Sequence, residues 1–564
     1  MRFVLSEYIT LLKEDGELDT LIVDLLIGMK IIPISIPQKG RQHGVDIAAV
    51  GKDPEDHKTK VFLFVVKQGN LNRTNWDGKV NSTRPSLNEI KDVYINSLLE
   101  KKYNKLPVKI VVATNGEIVQ NVQINWKQYI DSNSNKKRTY DFWGTTRIAS
   151  MLDTYLDNEK LFPAEYQSLL RKTLAFLDVP DYNLSHFYEL LDQILRKDAK
   201  QKQKILKKLR LVRLCLNILF KWSQDLKNLK PAVLASERCI LLCWDWIFKN
   251  GHLEKAYVKQ EFYMFYGLKR RIGITFFNKV VQHYQTKHSI YRYSKNYLEY
   301  SLNSWEHLGI LATIGLAEIQ EFRFKYWATK EEESQKFYKS AESVSNALSS
   351  FVHSNPPLSY PEYDEHCIEI ALALQLLYFT GKKDDACNWI RSMVVAFHNN
   401  FVIYKRFPLF RTNFDKLVDI HNGDIDSEID SSTILIILLE YSVLFEDEEL
   451  YKEIRSLIND NFPKVNLQIW FCTEDVERFF CAKNYSQGEG TLKHSINIYD
   501  EIKEYKKEIT EEVDLFIKED KFEFYTSGFH LIPHISSRHF RGQPFPVFWR
   551  LPIKRNFERN DDKE

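Results

Sequence analysis

Hydrophobic and polar positions divide the chain into two textures. Up to about residue 160, short β-branched runs alternate with amphipathic helices. ELDTLIVDLLIGMK sets Leu18, Leu21, Ile22, Leu25, Leu26 and Met29 on one helical face. IIPISIP follows as an edge strand, because Pro33 and Pro37 cannot donate to a central ladder. Gly40–Gly69 reads as a β-hairpin, with VDIAAVG and VFLFVVK as strands and GKDPEDHKTK as the turn. A polar loop, GNLNRTNWDGKVNSTRP, leads to Ser86-Leu-Asn-Glu89, a capping box that predicts a helix over LNEIKDVYINSLLEKK. VKIVVAT then predicts a buried strand stopped by Asn115-Gly116, followed by a helix near 117–130, a strand TYDFW and a helix GTTRIASMLDTYL. Strands alternating with helices imply an α/β domain over 1–160, a mixed sheet flanked by helices.

Beyond about 165 the period becomes helical and aromatic-rich, as in HFYELLDQILRK, LRLVRLCLNILFKW, ASERCILLCWDWIFKN and STILIILLEYSVLF. The expectation is a large all-α helical array without a fixed repeat period. SNPPLSYPEY at 354–363 suggests a break, giving helical blocks 161–355 and 356–530. The remainder, 531–564, reads as an extended Pro- and aromatic-rich strap around Pro544 and Pro546 with a disordered charged tail, KRNFERNDDKE. Acidic runs at 424–430 and 446–453 read as solvated faces and turns.

Composition narrows the field only slightly. A 44% hydrophobic, 27% charged chain can bury a large core. With a net charge of +2, any nucleic-acid site has to be a local basic patch. Seven cysteines, spread from Cys215 to Cys481 without a CxxC pair, argue against disulfides and for a reducing compartment. Cys239 and Cys243 lie one helical turn apart and read as core residues. Glu7 interrupts any signal peptide, and the run at 433–445 is too short to span a bilayer and carries Glu440, so the sequence points to the cytoplasm. P-loop, GxGxxG, HExxH and GxSxG motifs do not occur, so no NTPase motor is expected.

The chemistry concentrates in the hairpin. Its apolar strands are interrupted by Asp46 and Lys67, which neighbouring strands bring to one end of a sheet. An aspartate, a lysine and a divalent cation make a phosphodiester-hydrolysing site; a plain ion pair at a strand end is the other reading. Lys39, Arg41 and His43 precede the aspartate and are candidates for phosphate contact, or form a polar loop. Gln68, Arg73, Trp76 and Arg84 follow the lysine and offer polar, cationic and stacking groups to a nucleic acid, although Trp76 serves equally as an anchor of its own loop. RKDAKQKQKILKKLRLVR at 196–213 is half lysine and arginine with one aspartate, either a nucleic-acid-tracking face or a solvated one. Ser537, Arg538, His539 and Arg541 form a further polar cluster, read as packing rather than as a ligand site.

With LDTLIVDLLIGMK, GVDIAAVG and FVVKQ in this order, the first 160 residues resemble the PD-(D/E)XK nuclease superfamily, in particular its Mrr-like restriction-endonuclease branch. KIVVATNGEI and DFWGTTRIASMLDTYL resemble the closing elements of such domains. The resemblance implies a restriction-endonuclease-like fold. It places Asp46 at the metal-binding aspartate, Lys67 at the catalytic lysine and Asp19 at the acidic residue of the opening helix. One position departs from the family pattern: Val65 stands where an acidic residue or glutamine is usual. Period 2 puts Val65 on the face of Lys67, and Gln68 on the other unless a bulge re-aims it. The metal, Mg²⁺ or Mn²⁺, would then rest on Asp46 and Asp19 with backbone oxygen and water.

The implied function is metal-dependent hydrolysis of DNA phosphodiesters, with a helical region that senses, regulates or receives a protein partner. By analogy such an arrangement belongs to restriction or anti-phage defence. The rival is a catalytically inactive nuclease-fold scaffold that binds protein or nucleic-acid partners. Asp46 with Lys67 favours the first, Val65 the second.

Overall fold

The structure is a computed structural model that describes residues 2–35, 43–79, 81–155, 164–179, 182–328, 331–409, 414–422, 429–471, 477, 496–517 and 522–561. Lys39, Arg41, Cys472, Cys481 and residues 424–428 of the first acidic run lie outside the described residues. The chain divides into two compact units, Met1–Asn228 and Leu229–Glu564.

The first unit is built on a five-stranded mixed sheet in the order β1-β2-β3-β4-β5. The strands are β1 (Ile32–Ser35), β2 (Ile47–Lys52), β3 (Thr59–Lys67), β4 (Val108–Thr114) and β5 (Arg138–Trp143). β1, β2 and β3 are antiparallel neighbours, and the β3–β4 and β4–β5 pairs are parallel. The expected hairpin is β2–β3, and β1 is the expected edge. β3 is apolar without interruption from Val61 to Val66 because both of its faces are covered. On one face Leu63 and Val65 join Trp76, Leu87, Val112 and Trp126 in a core cluster. On the other, Phe64 packs edge-on against Trp143 with ring centroids 5.0 Å apart.

The helices of this unit are α1 (Arg2–Ile9), α2 (Asp19–Gly28), α3 (Arg73–Asp77), α4 (Thr83–Glu89), α5 (Gln120–Asn133), α6 (Thr145–Tyr155), α7 (Ala164–Phe176), α8 (Ser185–Leu195) and α9 (Lys202–Asp225). A wide π turn, Glu14–Leu18, precedes α2. Two sequence expectations need correction. The Ser86 capping box does not start a helix: α4 opens at Thr83, and the Ser86 hydroxyl donates back to the Ser82 carbonyl at 3.1 Å inside it. The boundary near 160 is also displaced, since α7, α8 and α9 belong to the first unit, where α9 packs on α1.

At the hairpin-turn end of the sheet, buried Lys109 bonds Asp53 (3.1 Å), Glu55 (2.6 Å) and Asp141 (3.2 Å). Lys60 reaches Asp53 at 2.8 Å, and Arg147 joins Glu55 to Asp141. Burial opposes ionisation of Asp53, but its hydrogen bonds to Lys60, the Glu55 amide and Lys109 outweigh burial and hold its carboxyl below the usual range. A depressed carboxyl stabilises the fold above its unfolded value and stops doing so as pH falls through its folded value. The stability gap between wild type and Asp53→Asn in urea should therefore be widest at neutral pH and narrow as pH falls below 3.8. A gap unchanged between pH 7 and 3 would remove Asp53 as the hub of this network.

The second unit is helical: α10 (Lys230–Lys249), α11 (Ala256–Tyr284), α12 (Tyr297–Trp327), α13 (Glu331–Ser354), α14 (Cys367–Phe379), α15 (Lys383–Tyr404), α16 (Phe414–Asn422), α17 (Ile434–Leu444), α18 (Glu448–Asn461), α19 (Ile502–Phe516), α20 (Glu523–Thr526), α21 (Leu531–Phe540) and α22 (Val547–Asp561). Segment 354–363 is a connection inside this unit and does not divide it. The expected strap and tail are instead α21 and α22, with the charged residues 554–561 in the helix. Cys239 and Cys243 are buried core residues, as expected. Asp447 of the second acidic run caps α18 by accepting the Leu450 N–H. Among the described residues no helix is long and apolar enough to cross a membrane.

The C-terminal polar cluster is packing. Arg538 clamps buried Glu237 with Nε at 3.0 Å, Arg541 clamps Glu369, and the Ser537 hydroxyl donates to the Gln543 carbonyl. Burial opposes ionisation of Glu237; Arg538, with His539 and Lys269, outweighs it and brings the carboxyl down to about 2.

Candidate active site

Asp46 and Lys67 meet at the open end of the β2–β3 hairpin. The Asp46 amide donates to the Phe64 carbonyl at 2.9 Å, extending the ladder one residue beyond β2. Its carboxylate accepts the Val66 N–H at 2.7 Å, which fixes it beside the residue that precedes Lys67. The approach to Asp46 is equally constrained. His43 and Gly44 both have left-handed backbone, and a Cβ on Gly44 would lie 2.3 Å from the Ser86 carbonyl oxygen. Only glycine lets this loop lie against α4.

The chain beyond Lys67 is pinned. The Gly69 N–H donates to Asn115 Oδ1, and the Thr114 hydroxyl donates to the Gly69 carbonyl. A Cβ on Gly116 would fall 2.5 Å from the Gly69–Asn70 peptide. Asn115 Nδ2 also donates to the Leu12 carbonyl at 2.7 Å, tying the segment before the π turn to the same corner. Thr114-Asn115-Gly116 thus does more than end a strand: it locks the segment that carries the lysine.

The acid at the lysine is Glu14. Its Oε1 accepts from Lys67 Nζ at 3.2 Å, and its Oε2 accepts the Gln68 N–H at 3.1 Å. Glu14 opens the π turn, and Glu17, three residues on, bonds Lys207 of α9 at 2.6 Å. Asp19, the acid expected from the opening helix, is buried instead and spends its Oδ1 on the amide and hydroxyl of Thr20. Helical periodicity starts at Leu18 and cannot phase a wide turn, so Glu14 carried no signal beyond an acid ahead of the helix.

The remaining expected residues divide. Gln68 and Arg73 are exposed, and His43 is half-buried in the loop leading to Asp46. Arg84 is exposed but paired with Asp77 at 2.7 Å. Trp76 cannot stack on a base: it is 4% exposed and packs edge-on against Trp126 and Tyr129. Its role as an anchor of its own domain is the correct one. Val65 is fully buried in the core cluster, so the departure from the family pattern is sealed in hydrocarbon.

Glu14 and Asp46 each bring a carboxylate to this corner. Among the described residues no group of three or more His, Cys, Asp and Glu side chains gathers as a metal cage. One or two carboxylates with retained waters are, however, the ordinary protein share of a Mg²⁺ site. The donor set fits magnesium or manganese at that minimum. Comparison with family models, with curated proteins and with solved structures yields no match to this chain.

Proposed function

We propose that the first unit is a restriction-endonuclease-like, metal-dependent nuclease that hydrolyses DNA phosphodiesters, with Asp46, Glu14 and Lys67 as its centre. The observation that carries this reading is the junction of Asp46 and Lys67 at one sheet end, next to a second carboxylate. Asp46 and Glu14 would hold Mg²⁺ or Mn²⁺, which when bound polarises the scissile phosphate and lowers the pKa of water. Lys67 offers an ammonium to the developing negative charge on phosphate. The Gln68 N–H beside it is a second donor in the same direction, and both now rest on Glu14. Pinning of Gly69 by Asn115 keeps these two donors in place without reorganisation.

DNA as the partner is supported by the segment that leads into α9. Arg196, Lys197, Lys200, Lys202 and Lys204 are exposed within nine residues that include one acid, Asp198. Lys207 on the same helix bonds Glu17 in the turn that holds Glu14. Such a run suits phosphate tracking beside the centre. The helical second unit is the regulatory or sensing part of this reading, in restriction or anti-phage defence.

The inactive-scaffold reading draws on two observations: Glu14 already pairs with Lys67, and Val65 supplies no oxygen. Plasmid, linear duplex and single-stranded DNA incubated with Mg²⁺ or Mn²⁺ separate the two. Cleavage that EDTA and Asp46→Ala both abolish is the expected result. Intact DNA under every metal, with the basic run still binding it, would favour the scaffold.

A further inference from the structure

We infer that the surface joining α11 to α12 in the second unit binds single-stranded nucleic acid by stacking bases on tyrosines. From Phe262 to Leu298 the chain contains no aspartate or glutamate, yet holds seven lysines and arginines. Two of these are spent internally: Lys269 is buried near Glu237, and Arg270 pairs with Glu318. Lys287, Arg292 and Lys295 are exposed; Tyr291 and Tyr293 stand between them and Tyr297 two residues beyond, and these rings are 50%, 72% and 54% exposed.

Rings this open to water normally find cover in a core. Here they stand on a fixed base. Tyr300 beneath them is 1% exposed, and its hydroxyl donates to Asn355 at 2.9 Å. Tyr291 and Tyr297 meet it edge-on, with centroids 5.4 and 6.1 Å away. A short 3₁₀ turn, Ile290–Tyr293, sets the spacing, and the Asn296 side chain caps α12. Beside this platform lies a groove of about 580 Å³ walled by Tyr297, Leu298 and Leu302 on one side and Phe414 and Val418 on the other. Phe414 is also largely exposed.

The nearby acids are already engaged. Glu299 accepts the Lys295 N–H at 2.6 Å, and Glu362 bonds His421 at 2.8 Å. Exposed rings interleaved with cations, in a stretch from Phe262 to Leu298 that carries no acid of its own, match the way single strands are held: bases stack on rings while cations follow the phosphates. A duplex hides its base faces and gains nothing from the tyrosines. This site is separate from the nuclease reading, which concerns the first unit.

The test uses the full-length protein in EDTA, so that binding is read without cleavage. Anisotropy of a labelled oligothymidylate gives the affinity, with far-UV circular dichroism checking that variants fold. Tyr291→Ala/Tyr293→Ala should weaken binding by at least about tenfold, while Tyr291→Phe/Tyr293→Phe keeps it. Lys287→Gln/Arg292→Gln/Lys295→Gln should flatten the slope of log K against log salt by about 2. The inference is overturned if the alanine variant binds as wild type, if the phenylalanine variant falls as far as alanine, or if duplex DNA or an acidic peptide depends on the tyrosines equally.

Discussion

Arg550→Met should cost the helical unit about 3–5 kcal/mol, the penalty of stranding a buried charge. Arg550 and Glu440 are both fully buried. Glu440 stands in α17, every residue of which is buried, and collects donors from three side chains remote in sequence. Tyr505 reaches its Oε1 at 3.0 Å; Trp549 Nε1 and Arg550 Nε reach its Oε2 at 2.5 and 2.8 Å. Arg550 also bonds Glu512 and lies 4.8 Å over the Phe471 ring. Burial lowers the guanidinium's pKa, but Glu440, with Tyr505 and Glu512, more than offsets it and raises it. Removing the arginine leaves fully buried Glu440 facing two neutral donors and takes the cationic partner from buried Glu512. Urea unfolding followed by circular dichroism and by hydrogen exchange in α17 measures the loss. The Glu440→Gln/Arg550→Met double variant should recover a large part of it, since an amide oxygen still accepts from Tyr505 and Trp549. A single variant within 1 kcal/mol of wild type would mean that water reaches the pair.

The same pair marks the limit of what the residues disclose in order along the chain. Periodicity reports which residues want burial, and so the hairpin, β4, β5 and α6 were legible, as was the helical character beyond 165. It does not report partners. Glu237 and Arg538 are 301 residues apart, and neither looks structural alone. The C-terminal prolines were misleading for a definable reason. Pro544 lies in the short irregular link between α21 and α22, and Pro546 stands just before α22. Both mark a break of only a few residues between two helices, which in sequence looks the same as the middle of an extended strap. Ser86-Leu-Asn-Glu89 has the spacing of a capping box, but Ser82 and Thr83 begin the helix a turn earlier. At the candidate site, Asp46 and Lys67 were legible because each interrupts an apolar strand. Glu14 was not, because its position depends on a π turn and on Asn115 holding the Leu12 carbonyl.

That difference becomes a prediction about which acid serves the centre. If metal-dependent cleavage depends on this corner, Glu14→Gln should lower it by about 10²-fold or more, since even outer partners of a metal site are worth 10–100-fold. Glu14→Gln keeps one acceptor oxygen, enough for Lys67 or the Gln68 N–H but not for both, so far-UV circular dichroism that matches wild type has to accompany the loss before it reports the missing charge. Asp19→Asn should leave cleavage within a few fold, because an amide oxygen can still accept the Thr20 N–H and the side chain is buried away from solvent. The resemblance in sequence argues for the opposite ranking, with Asp19 essential and Glu14 dispensable. Single-turnover rates at saturating Mn²⁺, set beside Mn²⁺ affinity from calorimetry, separate loss of metal from loss of chemistry. Full activity in Glu14→Gln together with its loss in Asp19→Asn would return the site to the helix and leave Glu14 a plain counter-ion of Lys67.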